Sequence, residues 1–299
     1  MLFTTELEDV IFFRQRGAFI SDMMELEEQY GQSDEYGEAR TEYLLEAVGS
    51  KEDFIARIED YARHGGVDAM EFVPLRQEDL RKFLEYGTAA HGAQRCEMFE
   101  QGAQGWAVHL RDYGRAVNYA ENLAIAELGA GAGMGTWAAA SQLRPGSCLV
   151  STDFDPMCIR NADAIARHLD LQDRLSGLLA NFWRLPFAGE ALDTVCAHYA
   201  LDEAREVPSV LAEVARVLKP GGRFIVTARI HPWDRQRRRM EPFGIAPAEC
   251  DALLRRARLY CGPEGLAAWA AKAGLAQTQR TDYTPEGSHA RTIMVFEKR

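Results

Sequence analysis

The sequence predicts an α/β protein, a mostly parallel sheet with helices on both faces, preceded by a helical part. Three observations carry this. From residue 123 to 228, short apolar runs alternate with helical stretches, the pattern of strand–helix–strand units. The first of these runs enters a helix through Gly129, Gly131, Gly133 and Gly135, a glycine at every second position. The charge is also divided: residues 1–110 hold 23 Asp/Glu against 10 Lys/Arg, and residues 111–299 hold 22 against 24. That break suggests two parts with different surfaces.

Composition bounds the possibilities. A chain of 299 residues with 47% hydrophobic and 26% charged residues has enough apolar mass for a substantial core. No run approaches the ~18 apolar residues of a membrane span. The acidic start, Met1 to Asp9, lacks a basic leader before an apolar stretch, so no secretion signal is expected. Cysteines at 96, 148, 158, 196, 250 and 261 form no C-x-x-C pair, and the seven histidines are scattered. Neither a metal site nor a disulfide framework is expected, and a reducing cytoplasm fits. A net charge of −11 argues against nucleic acid as a partner.

Residues 1–110 read as short helices. Tyr36 to Val48 puts Tyr43, Leu44 and Ala47 on one face; Phe54, Ile55, Ile58 and Tyr61 make the next helix amphipathic; Leu80, Phe83 and Leu84 mark another. Phe12-Phe13 and Met23-Met24 read as packing residues in preference to a pocket lining. The part as a whole is either a cap over a substrate site or an oligomerisation element.

From residue 111 the elements follow in order. Strand one is 123–128, its helix 134–143. Strand two, 147–152, leads to Asp153-Phe154-Asp155-Pro156, where Asp155 caps and Pro156 opens a helix over 156–169. Strand three is 175–179 and strand four starts at Asp193. A helix over 206–218 ends in a turn at Lys219-Pro220-Gly221-Gly222, before strand five at 223–228. An arginine-rich segment with a helix at 247–260, a final helix at 263–273 and strands at 276–283 and 291–297 complete the chain.

The glycine run admits three ligand readings. A P-loop needs Gly-Lys-Ser/Thr, and no lysine precedes Thr136. A dinucleotide fingerprint needs Gly-x-Gly-x-x-Gly/Ala, but Met134 or Thr136 falls at the last place. What stands is Glu127-x-Gly129-x-Gly131-x-Gly133. Asp153 ends strand two 20 residues after Gly133, where a carboxylate can accept from both hydroxyls of a ribose.

Four motifs then occur in order: the Glu127 glycine run, Thr152-Asp153-Phe154-Asp155-Pro156-Met157, Arg184-Leu-Pro-Phe187 followed by Leu192-Asp193-Thr-Val, and Leu211 through Lys219-Pro-Gly-Gly-Arg-Phe-Ile-Val226. Together they resemble the core of class I S-adenosylmethionine-dependent methyltransferases over about 111–299; residues 1–110 match nothing nameable. The resemblance implies a Rossmann-like doubly wound seven-stranded mixed sheet, here with an N-terminal all-helical cap at 1–110 and a 230–262 insertion after strand five. It implies S-adenosyl-L-methionine as cofactor and S-adenosyl-L-homocysteine as product. It places Glu127 near the methionine amino end, Gly129, Gly131 and Gly133 under the cofactor, Asp153 on the ribose and Phe154 against the adenine. Where the family often has an acid for the adenine amino group this chain has Asn181, whose side-chain oxygen still accepts, and Phe182 offers a backbone N–H.

His198, after strand four where the family passes the methyl group, is the first candidate for both cofactor contact and general base; His231 is the second base candidate. The expected activity is methyl transfer to an O, N or C atom of a small molecule, of the specialised-metabolite kind, by a cytoplasmic monomer or homodimer. The rivals are a peptide or nucleic-acid methyltransferase and an S-adenosylmethionine-binding protein with another role. The arginines at 235–239 and 255–258 either bind an anionic substrate group or form a solvated face paired with the acidic N-terminal part.

Overall fold

The computed structural model describes residues 96–97, 99–100, 107–131, 133–153, 156–180, 182–202, 204, 206–234, 237, 246–256, 258–284 and 290–299. The expected helical cap up to residue 95 lies outside the described residues, as do Phe154, Asn181, Arg235, Arg238 and Arg239. Described residues up to Ile230 and from Tyr260 onward belong to one compact unit, and those between them to a second.

In chain order the elements of the first unit are α1 (Ala107–Val117), β1 (Ala124–Leu128), α2 (Met134–Ala140), β2 (Cys148–Asp153), α3 (Pro156–His168), β3 (Leu175–Leu179), β4 (Leu192–His198), α4 (Val207–Val217) and β5 (Leu218–Arg229). Helix α5 (Pro247–Arg256) belongs to the second unit, and α6 (Pro263–Lys272), β6 (Leu275–Tyr283) and β7 (Arg291–Lys298) return to the first. The sheet is seven-stranded, in the order β3-β2-β1-β4-β5-β7-β6, with β1 to β5 parallel and β7 antiparallel to both neighbours. The mixed, doubly wound sheet expected from the sequence is present.

Strand side chains alternate between two cores, which is why β1 is apolar at every position but Glu127. Ile125, Cys196 and Ile225 face a layer made by Leu110, Tyr113 and Val117 of α1, Ala138 to Ala140 of α2 and Ile165 of α3. Ala126, Leu128, Val195, Ala197, Phe224 and Val226 face the other way, onto α4 and α6. Val207, Val210, Leu211, Val214 and Val217 put the whole apolar stripe of α4 into that layer. Full burial of each is worth roughly 1.5–3 kcal/mol. The exposed ion pair on the same helix, Arg216 with Glu213, belongs to a class worth about 0–1 kcal/mol, so the apolar face decides where α4 docks.

One boundary differs from the sequence expectation. Lys219-Pro-Gly-Gly222 lies within the bounds of β5. Leu218 pairs with Leu192 and Arg223 with Thr194, so four residues on β5 stand against one on β4. The turn is present as an irregularity in the ladder, with Gly221 at φ +74°, because Leu218 is already buried on the sheet before the turn begins.

In the second unit Arg237 forks onto Asp251, Nε to Oδ1 and Nη2 to Oδ2 at 2.8 Å each, and also reaches Asp234 at 2.7 Å. Arg255 lies over the Trp233 ring at 5.4 Å. These cations are engaged by neighbours in their own unit, a pairing that neither sequence reading of the arginine cluster included.

Helices α1 and α2 touch at backbone distance. A Cβ at Gly114 would sit 2.0 Å from the Ala138 carbonyl oxygen. Gly114→Ala is therefore expected to lower stability by about 1–3 kcal/mol through forced separation of the two helices, read as a lower urea midpoint with unchanged slope.

Candidate functional site

The strand order reverses between β1 and β4, since the chain builds outward through β2 and β3 before returning to the other side of β1. Ligands of open α/β sheets sit beyond the carboxyl ends of the strands at such a point. Glu127 and Gly129 lie at that end of β1, Asp153 at that end of β2, and His198 at that end of β4.

The turn after β1 is tied down by backbone. The N–H groups of Gly129 and Ala130 both donate to the Thr152 carbonyl, at 2.8 and 2.9 Å, and Gly133 N–H donates to Ala130 O at 2.9 Å. Gly129, Gly131 and Gly133 have φ of +73°, +51° and +91°, which glycine adopts without a Cβ penalty. Space is the second constraint. A Cβ at Gly129 would meet the Ala200 Cβ at 2.5 Å, and one at Gly135 would meet Glu127 Oε1 at 2.5 Å and His198 Cβ at 2.6 Å. Gly135 thus seats α2 directly on two of the expected site residues.

Asp153 is buried and accepts the Gly131 N–H on Oδ2 at 2.9 Å. The other side of Gly131 is held by Asn161 of α3, whose Nδ2 donates to the Gly131 carbonyl at 2.7 Å. The carboxylate therefore sits at the glycine turn, and α3 braces the turn from beyond β2. Phe182 is buried, with its ring edge 3.1 Å from where a Gly129 Cβ would be; its side chain packs beneath the turn. Phe154 and Asn181 fall outside the described residues.

Glu127 is fully buried. Thr136 donates its hydroxyl to Oε2 at 2.6 Å and Ser151 donates to the same oxygen. Oε1 has no hydrogen-bond partner among the described residues. Burial pushes the carboxyl up to about 7; the two hydroxyls pull against this and the nearby Asp153 charge adds to it. A buried carboxylate with one oxygen unsatisfied is costly alone. It fits a cationic donor from a ligand.

His198 shares its sheet face with Glu127, by way of Cys196, which lies opposite Glu127 in register. Its ring is surrounded by Tyr199 at 4.5 Å, Tyr113 at 4.9 Å and His109 at 5.3 Å between centroids, the last stacked at 27°. Neither ring nitrogen has a hydrogen-bond partner among the described residues. Burial, with His109, Arg291 and Arg229 adding to it, holds the imidazole well below the usual histidine range. It is neutral, and its conjugate acid is disfavoured. His231 belongs to the second unit, where its side chain is exposed.

Several participants gave no motif signal. Thr136 and Ser151 are ordinary helix and strand residues by sequence. Asn161 carries no local pattern. His109 is far in the chain from Tyr283 and Arg291, which are partners in the β6–β7 hairpin, and meets them only through the packing of α1. Gly135 was the one with a visible signal, as the fourth glycine of the run. Among the described residues no group of three or more His, Cys, Asp or Glu is placed to hold a metal, and no helix is long and apolar enough to cross a membrane.

Comparison with known proteins agrees with this geometry. Residues 120–238 match the family described as a methyltransferase domain. A demethylmenaquinone methyltransferase of Symbiobacterium thermophilum is 26% identical over 130 residues, 44% of this chain and 52% of that protein. A sterol 24-C-methyltransferase of Debaryomyces hansenii is 30% identical over 144 residues, 48% of this chain and 37% of that protein. The chain spans about half, or less, of the length of these curated relatives. In fold it resembles geranyl diphosphate C-methyltransferase from Streptomyces coelicolor, solved with Mg2+, geranyl diphosphate and S-adenosyl-L-homocysteine, at a TM-score of 0.51 and 14% identity, covering 64% of this chain and 77% of that one. The [4+2]-cyclase SpnF gives the same TM-score at 18% identity, covering 65% and 82%.

The titration of Glu127 has a checkable consequence for the cofactor-free protein. Its folded pKa of about 7 lies above the ordinary 4.5. The native state therefore holds this proton more tightly, and stability falls as pH rises from about 4.5 through 7. Glu127→Gln removes that loss. Relative to wild type, the variant should gain on the order of 3 kcal/mol between pH 5 and pH 8, measured by urea unfolding at the two pH values. A wild-type-minus-variant difference that does not change with pH would contradict the assignment.

Proposed function

We propose that this chain, whose residues 120–238 match a methyltransferase domain, is a class I S-adenosylmethionine-dependent methyltransferase that transfers a methyl group from S-adenosyl-L-methionine to an O, N or C atom of a small-molecule acceptor. The observation that carries the reading is the pairing of two buried carboxylates on one glycine turn, Asp153 on the Gly131 N–H and Glu127 with Oε1 unsatisfied beneath Gly135. The relatives' names support a small acceptor, since those above act on demethylmenaquinone and a sterol, and another is an arsenite methyltransferase.

The cofactor supplies a methyl group on a sulfonium sulfur, already activated toward a nucleophile. The protein's share is to bind, orient and exclude water. Asp153 offers carboxylate oxygens to a ribose diol. Glu127 faces a cation at the methionine amino end, and Thr136 and Ser151 fix the rotamer of its carboxylate. Gly129, Gly131 and Gly133 let the backbone approach without side chains. Phe182 supports the turn from below; Phe154 and Asn181 would complete the adenine side.

His198 adjoins the reacting region beside Gly135. In its described surroundings it is a weak base, because burial, and then His109, Arg291 and Arg229, oppose its protonation. It serves as proton acceptor only late, as the acceptor atom gains positive character, and it positions the acceptor at other times. His231 is kept as the second candidate. Residues 1–110 are assigned to a cap or an oligomerisation element, in a cytoplasmic monomer or homodimer.

A second reading is favoured by the weak basicity of His198 together with the likeness to a [4+2]-cyclase: an S-adenosylmethionine-binding protein whose chemistry is not methyl transfer. Labelled cofactor incubated with a metabolite pool separates the two, since binding without label transfer favours the second.

Asp153→Ala should weaken cofactor binding at least tenfold by calorimetry with little change in the far-ultraviolet spectrum, as expected when a charged acceptor is lost. His198→Ala should lower turnover at least about tenfold while cofactor affinity stays within about twofold. Near-normal turnover would remove His198 from the mechanism.

A further inference from the structure

Glu127 sits under the glycine turn in a polar group that contains no cation. Its register partners on the neighbouring strands are Ser151 of β2 and Cys196 of β4. Oε2 accepts from the hydroxyls of Thr136 and Ser151, which occupies both lone pairs of that oxygen. Oε1 lies against Gly135, where a Cβ would stand 2.5 Å from it, and it has no hydrogen-bond partner among the described residues. The residue is fully buried.

The titratable groups around it come from three elements. Tyr113 faces it from α1, Cys196 and His198 from β4, and Asp153 from β2. Helix α2 carries no ionisable side chain. Burial pushes Tyr113 and Cys196 well above their usual ranges and His198 well below its own, so all three are neutral near pH 7. Asp153 is the other acid, and its charge opposes a second negative charge beside it. Among the described residues no lysine or arginine acts on the Glu127 carboxyl. A buried carboxyl without a counter-charge takes up a proton in preference to holding its charge.

We infer that Glu127 is a neutral carboxylic acid in the cofactor-free protein, and that the cofactor's ammonium group drives its proton out to solvent on binding. The inference rests on the cofactor reading above. It adds to that reading a dependence of cofactor affinity on pH, and makes Thr136 and Ser151 the positioning residues that set its range.

The balance is simple. The O–H bond at Oε1 breaks, no covalent bond to the ligand forms, and one proton passes to the buffer. A carboxylate–ammonium pair takes the place of the acid. Oε1 carries the proton because Oε2 already accepts two hydroxyl hydrogens. Oε1 is also the oxygen left for a ligand donor, so proton and ammonium compete for one atom. Burial raises the carboxyl to about 7, and the two hydroxyls keep it from rising further by favouring the charged form. An ammonium within about 4–6 Å lowers an acid by 1–3 units. The empty site therefore holds a proton that the loaded site has lost, and cofactor affinity falls as pH falls through about 7.

The test is calorimetric titration of the full chain with S-adenosyl-L-homocysteine, in buffers of different ionisation enthalpy, which counts the protons released. Near pH 6, binding should release about 0.4–0.9 proton, and affinity should be about 5–25-fold weaker near pH 5.5 than near pH 7.5. Glu127→Gln should release less than about 0.2 proton, with an affinity that varies less than about twofold over the same range. Ser151→Ala removes a donor to the charged form, so the midpoint of proton release should move up by about half a unit or more. A lost packing contact alone would leave that midpoint in place. Release below about 0.2 proton in the wild type, undiminished release in a Glu127→Gln protein that binds, or an unmoved midpoint in a Ser151→Ala protein that binds would each overturn the inference. Should either variant fail to bind, the wild-type proton count and the other variant decide. Failure of the wild-type protein to bind S-adenosyl-L-homocysteine at any pH would instead refute the cofactor reading.

Discussion

The constraint on which the site depends is the backbone-to-backbone passage after β1. The chain leaves the strand, donates two N–H groups to the Thr152 carbonyl, and turns between Ala200 on one side and Glu127 with His198 on the other. No side chain fits at Gly129 or Gly135. Everything placed around the turn follows from this contact distance. Asp153 reaches the Gly131 N–H only because β2 ends level with the turn, and α2 begins close enough for Thr136 to reach Glu127. Asn161 then fixes the far side of the loop from α3. Loosening any one of these would move the two carboxylates relative to each other.

The sheet face beneath α1 and α2 shows what this geometry costs. Its strands carry Ile125, Leu149, Cys196 and Ile225 in the interior and change to Glu127, Ser151, His198 and Thr227 toward their carboxyl ends. The apolar portion stabilises the fold; the polar portion is buried with several atoms unpaired. With net stability of only about 5–15 kcal/mol in an ordinary domain, such a row is tolerated because the opposite layer, built on α4 and α6, is almost wholly apolar. Rules of burial are broken on one face and at one end of the strands, the end at which ligands of open α/β sheets sit.

Likeness to other proteins settles the framework and leaves the chemistry to the site. The same TM-score is reached with a C-methyltransferase and with a cyclase, and one fold hosts many reactions. Beyond the glycine turn this chain places Tyr199 with its ring 5.3 Å from Arg229 and 5.4 Å from Arg291, and a histidine kept neutral by burial. The second unit contributes a different lesson. Arg237 looked available to an anion in a run of basic residues, but Asp234 lies one helical turn before it and Asp251 14 residues after it, and the fold brings both onto its guanidinium.

The sequence by itself determined the order of strands and helices, the glycine turn, and the acids at the ends of strands one and two. These are local properties, written in apolar periodicity, in glycines where φ is positive, and in the spacing from Gly133 to Asp153. The turn at Lys219 to Gly222 differs from the reading, since burial of Leu218 starts the strand before it. The tertiary structure alone decided the state and company of those residues. Glu127 was legible as a strand-end acid, yet its raised pKa comes from burial under Gly135 and beside Asp153. His198 was legible as the residue after strand four, yet its weak basicity comes from burial first and then from His109, Arg291 and Arg229, brought to it by α1, β7 and β5. His109, Arg229 and Arg291 stand 89, 31 and 93 positions from His198 and have no sequence signal for their meeting, because proximity across a sheet is set by strand order and not by spacing.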